Sequence, residues 1–197
     1  MEGYRTGRAA IEGICPLLMN NGLTVDELNP WSIKVNDITS KPKKQKTAQD
    51  DLKIAEYKFN GALYFDDKLG PVIPDYVLEA VIRDGARMNS NGQKVLAGLQ
   101  VEEPAPLVYE GPRTRKALFA DKSFVDRRVV VINRGSKVIA TRPRFNAWAL
   151  EFNVNILEDV ISTQEVEVAL EKAGKYKAIC DYRPKFGRFM VTKFDWD

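Results

Sequence analysis

The sharpest periodicity in the chain lies between Phe145 and Ile156, where Trp148, Leu150, Phe152, Val154 and Ile156 alternate with Ala149, Glu151, Asn153 and Asn155. Alternation of this kind predicts a strand with one apolar and one polar face. Ser162-Thr163-Gln164-Glu165 follows in capping-box form and starts a helix whose buried stripe is Val166, Ala169, Leu170 and Ala173, with Gly174 as the left-handed residue beyond it. A second helical stripe, Val77, Leu78, Val81 and Ile82, begins after Pro74, which suits a first helical turn, and leaves Glu79 and Arg83 more exposed.

Weaker patterns complete the reading. Arg8 to Leu18 alternates imperfectly as a strand, Val129 to Ile132 resumes as a strand at Lys137 to Thr141, and Phe189, Val191 and Phe194 mark a last strand. The core order is then strand, helix, strand, strand, helix, strand. This predicts an α+β fold, a ferredoxin-like (split βαβ, RRM-like) core with both helices on one face of an antiparallel sheet. The expectation is a single domain, 1–197, with long inserted loops at 26–60 and 100–128. Within the first, Trp31, Ile33, Val35 and Ile38 offer anchors, Thr39 to Thr47 reads as a mobile loop, Ala48 to Tyr57 as a short helix and Gly61 to Phe65 as a strand.

Composition changes this picture mainly by exclusion. The formal charge of +3, from 30 basic and 27 acidic residues, is too small for a global field, so any polyanion site has to come from local clustering. No apolar run reaches the roughly 20 residues of a membrane span, and the start does not lead into a signal peptide, which predicts a cytoplasmic protein without membrane contact. Cys15 and Cys180 have no metal-ligand spacing and read as free thiols. The chain has no histidine, which removes the commonest acid–base group, and it has no phosphate-binding glycine loop of the nucleotide-binding kinds. No cofactor or metal is expected, and the protein is not read as an enzyme. Asp66 and Asp67 fit a solvated turn, and Asp181 fits a partner for an arginine.

Three clusters suit a phosphodiester chain. Lys41, Lys43, Lys44 and Lys46 offer distributed attraction without base register. Arg134, Lys137, Arg142 and Arg144 form the second, with Pro143 stiffening the turn between the last two and Phe145 read as core. The third is Tyr182-Arg183-Pro184-Lys185-Phe186-Gly187-Arg188. Tyr182 or Phe186 would stack on bases, Arg183, Lys185 and Arg188 would meet phosphates, and Gly187 would allow a tight turn or close backbone approach. Glu151, Asn153 and Asn155 stand where RNA-recognition modules carry aromatics, so recognition is expected from loops at the sheet edge.

Cys15-Pro16-Leu17-Leu18-Met19-Asn20, Asn29-Pro30-Trp31, Val72-Ile73-Pro74, Leu107-Val108-Tyr109-Glu110-Gly111-Pro112, Arg142-Pro143-Arg144-Phe145 and the segment from Asp181 to Phe189 together span nearly the whole chain. With these landmarks the sequence resembles a group of phage and prophage proteins related to the RAMP superfamily. It is distantly similar to the RNA-binding backbone subunits of CRISPR effector complexes. The resemblance implies a ferredoxin-like core that binds single-stranded DNA or RNA without catalysis, assembles as a homo-oligomer or filament, and acts in the host cytoplasm. It also leaves open a phage or host protein partner, as in a module that mimics or inhibits a host CRISPR backbone, and a carboxylate-metal nuclease.

Overall fold

The computed structural model describes residues 3–131 and 135–197, with the backbone alone at Lys43. The first half of the chain forms strands β1 (Tyr4–Gly13) and β2 (Leu17–Leu18), helices α1 (Pro30–Thr39) and α2 (Ala48–Ala62), strands β3 (Phe65–Asp66) and β4 (Gly70–Ile73), and helices α3 (Asp75–Ala86) and α4 (Gly92–Gly98). The second half forms strands β5 (Leu99–Gln100) and β6 (Ala105–Pro106), helix α5 (Arg115–Ala120), and strands β7 (Val125–Val131), β8 (Lys137–Phe145) and β9 (Ala149–Leu157). Helix α6 (Thr163–Lys172) and strand β10 (Phe189–Trp196) close it. The fold is a mixture of helix and sheet, and among the described residues no helix is long and apolar enough to cross a membrane.

The chain divides into two compact units, one drawn from Met1–Leu17, Phe65–Glu110 and Asn146–Asp197, the other from Leu18–Tyr64 and Gly111–Phe145. In the first, a four-stranded sheet runs in the order β10-β1-β9-β5, with every neighbouring pair antiparallel. The alternation read in the sequence sets its two faces. Leu150, Phe152, Val154 and Ile156 of β9 join Ala9 and Ile11 of β1 and the stripes of α3 and α6 in the core. Gly7 leaves room on this face for the stacked rings of Phe194 and Trp196, and the Trp196 indole donates to Glu167 Oε1 of α6 at 2.7 Å. The opposite face is polar, with Arg8 paired to Glu151 and Thr6 donating to Asn155 at 2.8 Å. The helices α3 and α6 cross at Gly85, where a Cβ would stand 1.9 Å from the Ala169 carbonyl oxygen.

Two expectations about this unit need correction. The strand beside β9 in this sheet is the two-residue β5, whereas the described parts of the expected strand, 129–131 and 137–141, belong to the antiparallel pair β7–β8 in the other unit, and residues 132–134 lie outside the described residues. Two residues are too short to show a period, whereas β7 and β8 have one but carry no mark of the sheet they join. Gly174 does not end α6 in a left-handed conformation. The helix widens into a π turn over Ala173–Lys177, Ala178 takes the positive φ of 64°, and Gly174 is small because Phe189 O would lie 2.3 Å from a Cβ there. The capping box at Ser162 and Glu165 forms as read, and Lys94 pulls the Glu165 carboxyl below its ordinary range, with the Ser162 amide adding to the shift.

In the second unit, the insertion expected over 26–60 carries two helices rather than a long loop. Asn29 accepts from the Trp31 amide at 2.9 Å and Pro30 opens helix α1, which buries only Ile38 and so has little amphipathic signal. Helix α2 runs on to Ala62, two residues into the stretch expected as a strand, which begins only at Phe65, and Phe59 and Ala62 are buried in the core with Leu118 and Phe145. Its start is a capping box: Thr47 bonds the Asp50 amide and the Asp50 carboxylate bonds the Thr47 amide at 3.0 Å. Lys41 adds an ion pair to Asp50 at 2.9 Å, and this bond, followed by the Thr47 amide, holds the carboxyl at about 2. The stabilisation is therefore complete above the unfolded value near 3.8 and is lost as pH falls towards 2. In a carboxyl NMR titration, Lys41→Met should move the Asp50 midpoint up towards 3.8, and an unchanged midpoint would remove Lys41 as the cause.

Candidate nucleic-acid interface

In the first unit the chain leaves the π turn through three non-glycine residues of positive φ, Ala178 (64°), Cys180 (63°) and Tyr182 (57°). Each costs about 1 kcal/mol, so the segment keeps this shape only because it is tied down. The ties are at its base. Ile179 N donates to Gly187 O at 2.9 Å, Gly187 N to Pro16 O at 2.9 Å, and Arg188 N to Cys15 Sγ at 3.2 Å. Gly187 has φ of 75°, and a Cβ on it would stand 2.0 Å from Ile179 O, so the close backbone approach read from the sequence is real. The peptide between Arg183 and Pro184 is cis. Burial pushes the Cys180 thiol up to about 12, which leaves it unreactive at neutral pH, and both cysteines are free.

The clamped loop presents its cations beside others that the sequence reading missed. Arg183 pairs with Asp84 at 3.1 Å, and Arg87, from the end of α3, pairs with the same carboxylate at 2.8 Å. Lys177, Tyr176 and Pro184 complete a cleft of about 500 Å³, whose lining holds three cations and one acid. A second cleft, of about 450 Å³, is lined by Ile14, Cys15, Pro184, Lys185 and Arg188. Tyr182 is 45% exposed, whereas Phe186 is 8% exposed and packs edge-on against Tyr182 at 5.8 Å. The stacking role expected of Phe186 is corrected on that ground: its ring anchors the loop to the core.

The remaining predicted residues lie in the second unit. Lys41 holds Asp50 and Lys46 Nζ donates to Thr39 O at 2.8 Å, at the end of α1, so both also serve the local fold. Lys44 and Lys137 are exposed, Arg144 is half-buried, and the side chain of Lys43 and all of Arg134 fall outside the described residues. Arg142 lines a cleft of about 510 Å³ with Trp31, Tyr57, Val130 and Val138. Phe145 is core, edge-on to Phe124 at 5.7 Å. Asp66 accepts from the Lys68 and Leu69 amides at 2.8 and 2.9 Å, which lowers its pKa and fixes it in the turn. Among the described residues no three acidic or thiol side chains gather as metal ligands.

No protein-family model matches this sequence, and no curated protein is similar to it. In fold it is similar to a chain of a structure described as "Cryo-EM structure of the Type III-B Cmr-beta bound to cognate target RNA". The TM-score is 0.54 at 10% identity, over 98% of this chain and 61% of that chain. This chain therefore spans about three fifths of that chain's length, and at this identity the likeness is one of fold.

Proposed function

We propose that this chain is a non-enzymatic subunit that binds single-stranded nucleic acid, RNA before DNA, and assembles along it. The observation that carries the proposal is the pairing of Arg183 and Arg87 with the single carboxylate of Asp84, in a cleft that Lys177 also lines, beside the exposed Tyr182. Guanidiniums held by a shared carboxylate are pre-oriented for phosphate oxygens, and the excess of cations leaves charge to neutralise. The sheet order β10-β1-β9-β5, with α3 and α6 as its crossover helices, supports a ferredoxin-like reading of the first unit. The fold likeness to a chain of an RNA-bound complex supports a RAMP-like relationship and favours RNA. We extend the proposal to the setting that the sequence resemblance implies, a phage or prophage chain acting in the host cytoplasm.

Assembly is supported by hairpin β7–β8. Val129 and Val131 on β7 (61% and 66% exposed) and Ile139 on β8 lie in solvent beside the cations Arg127 and Lys137. The same unit exposes Leu23, Val25 and Leu28 around Asp26 and Glu27. Val25, Asp26 and Glu27 border the same cleft as Val138 and Ile139, so acidic, basic and exposed apolar positions meet on one surface, which suits contact with a second copy. Native mass spectrometry of the protein with RNA, DNA and duplex of defined lengths tests both parts. Copies added in proportion to single-strand length are expected; no complex with either single strand would sink the proposal.

A further inference from the structure

A smaller recess, of about 180 Å³, lies at the end of α3 and is lined by Arg83, Arg87, Ser90, Gly92, Gln93 and Leu96. Arg87 thus belongs both to this recess and to the cleft at Asp84. Among the described residues Arg83 Nε is buried without a hydrogen-bond partner, and Arg83 sits four residues before Arg87, the C-cap of the same helix. Like charges at that spacing repel, and a buried donor without an acceptor is unfavourable. The helix dipole accounts for cations in the last turn of α3, but it needs only exposed charge and gives no reason for a buried Nε. Gly92 keeps the recess open to the Arg87 stem, because a Cβ there would stand 2.6 Å from Arg87 Cγ.

We infer that this recess binds a phosphate group carrying more negative charge than a phosphodiester, such as a strand's terminal phosphate or the free ion. Pockets for drug-sized ligands begin at roughly 300 Å³, so a volume of about 180 Å³ suits a single small anion better than a nucleoside. Two guanidiniums, with Gln93 and Ser90 as further donors, match an oxyanion that has several acceptor oxygens. The anion would supply the acceptor that Arg83 lacks and would screen it from Arg87. A terminal phosphate as the source rests on the strand-binding reading above, whereas recognition of the free ion does not.

Calorimetric titration of the full chain with inorganic phosphate, and with one short RNA bearing a 5′-phosphate, a 3′-phosphate or neither, separates these sources. A phosphate-bearing end should tighten binding at least fivefold, and Gln93→Glu, which places a carboxylate at the exposed edge of the recess, should abolish the gain while leaving the unphosphorylated strand within twofold. Arg83→Gln should do the same. Binding of inorganic phosphate with no end effect, lost in both variants, assigns the recess to the free ion. Equal affinity for the three strands together with no heat from inorganic phosphate overturns the inference. The unphosphorylated strand reports separately on the proposed function.

Discussion

Replacing Arg87 and Arg183 together by alanine should weaken binding of single-stranded RNA roughly 30-fold and flatten its salt dependence. Charge-assisted hydrogen bonds contribute about 1.5–3 kcal/mol each, which we discount to about 1 kcal/mol because both guanidiniums face solvent. Two such losses make about 2 kcal/mol, or a factor of roughly 30. On single strands each neutralised phosphate contributes about 0.7 to the slope of log K against log salt, so the slope should fall by about 1.4. The variant also leaves Asp84 without the two cations it holds, at 2.8 and 3.1 Å, which adds repulsion in the same direction. Arg8→Ala is the control, since Arg8 lies on the polar sheet face paired with Glu151 and should change neither quantity. A double variant that folds normally and keeps both the affinity and the slope would remove the cleft from the mechanism.

That cleft was only half legible in the sequence. Tyr182 to Arg188 stands out because cations, rings, proline and glycine are adjacent, and adjacency is what a linear reading detects. Arg87 is far from Arg183 along the chain, and only the crossing of α3 with α6 brings the two to one carboxylate. One signal was available: Lys175-Tyr176-Lys177 leads directly into the loop, and Arg83 and Arg87 share a face of α3. The sequence also overrates clusters whose members have local duties. Lys41 and Lys46 look like spare charge until Asp50 and the Thr39 carbonyl are placed beside them.

The fold shows the same division between local and distant causes. Helix α6 is readable because its capping box closes within four residues and its stripe is regular. Helix α1 is not, because Ile33 is exposed and only Ile38 is buried, so its hydrophobic positions do not mark a face. Strands β7 and β8 are recognisable as strands, but their partition into the second unit goes with the packing of Phe119 on Phe59 of α2 and of Phe124 on Phe145, contacts between distant segments. The chain crosses between the two units at four points, at residues 17–18, 64–65, 110–111 and 145–146, and none carries a long flexible linker that a sequence pattern would expose.

Gly187→Ala should be among the most damaging single substitutions in the first unit, lowering the melting midpoint by about 10 °C. The residue has φ of 75°, where an L side chain costs about 1–2 kcal/mol, and its Cβ would stand 2.0 Å from Ile179 O, an overlap that only backbone movement relieves. Overpacking of this kind adds about 1–3 kcal/mol. The movement also strains the two bonds that Gly187 makes, from Ile179 N and to Pro16 O, each 2.9 Å. A total near 3–4 kcal/mol corresponds, for a chain of this size at about 2–4 °C per kcal/mol, to the expected shift. Gly22→Ala, where nothing lies within 4 Å and φ is unexceptional, should melt within a degree or so of the parent. Because Gly187 fixes the base of the loop that carries Arg183, the alanine variant should also bind RNA more weakly at temperatures where it remains folded. A calorimetric scan showing equal midpoints for the two alanine variants would mean that the loop is not held at Gly187, and the pre-oriented arginines would lose their structural basis.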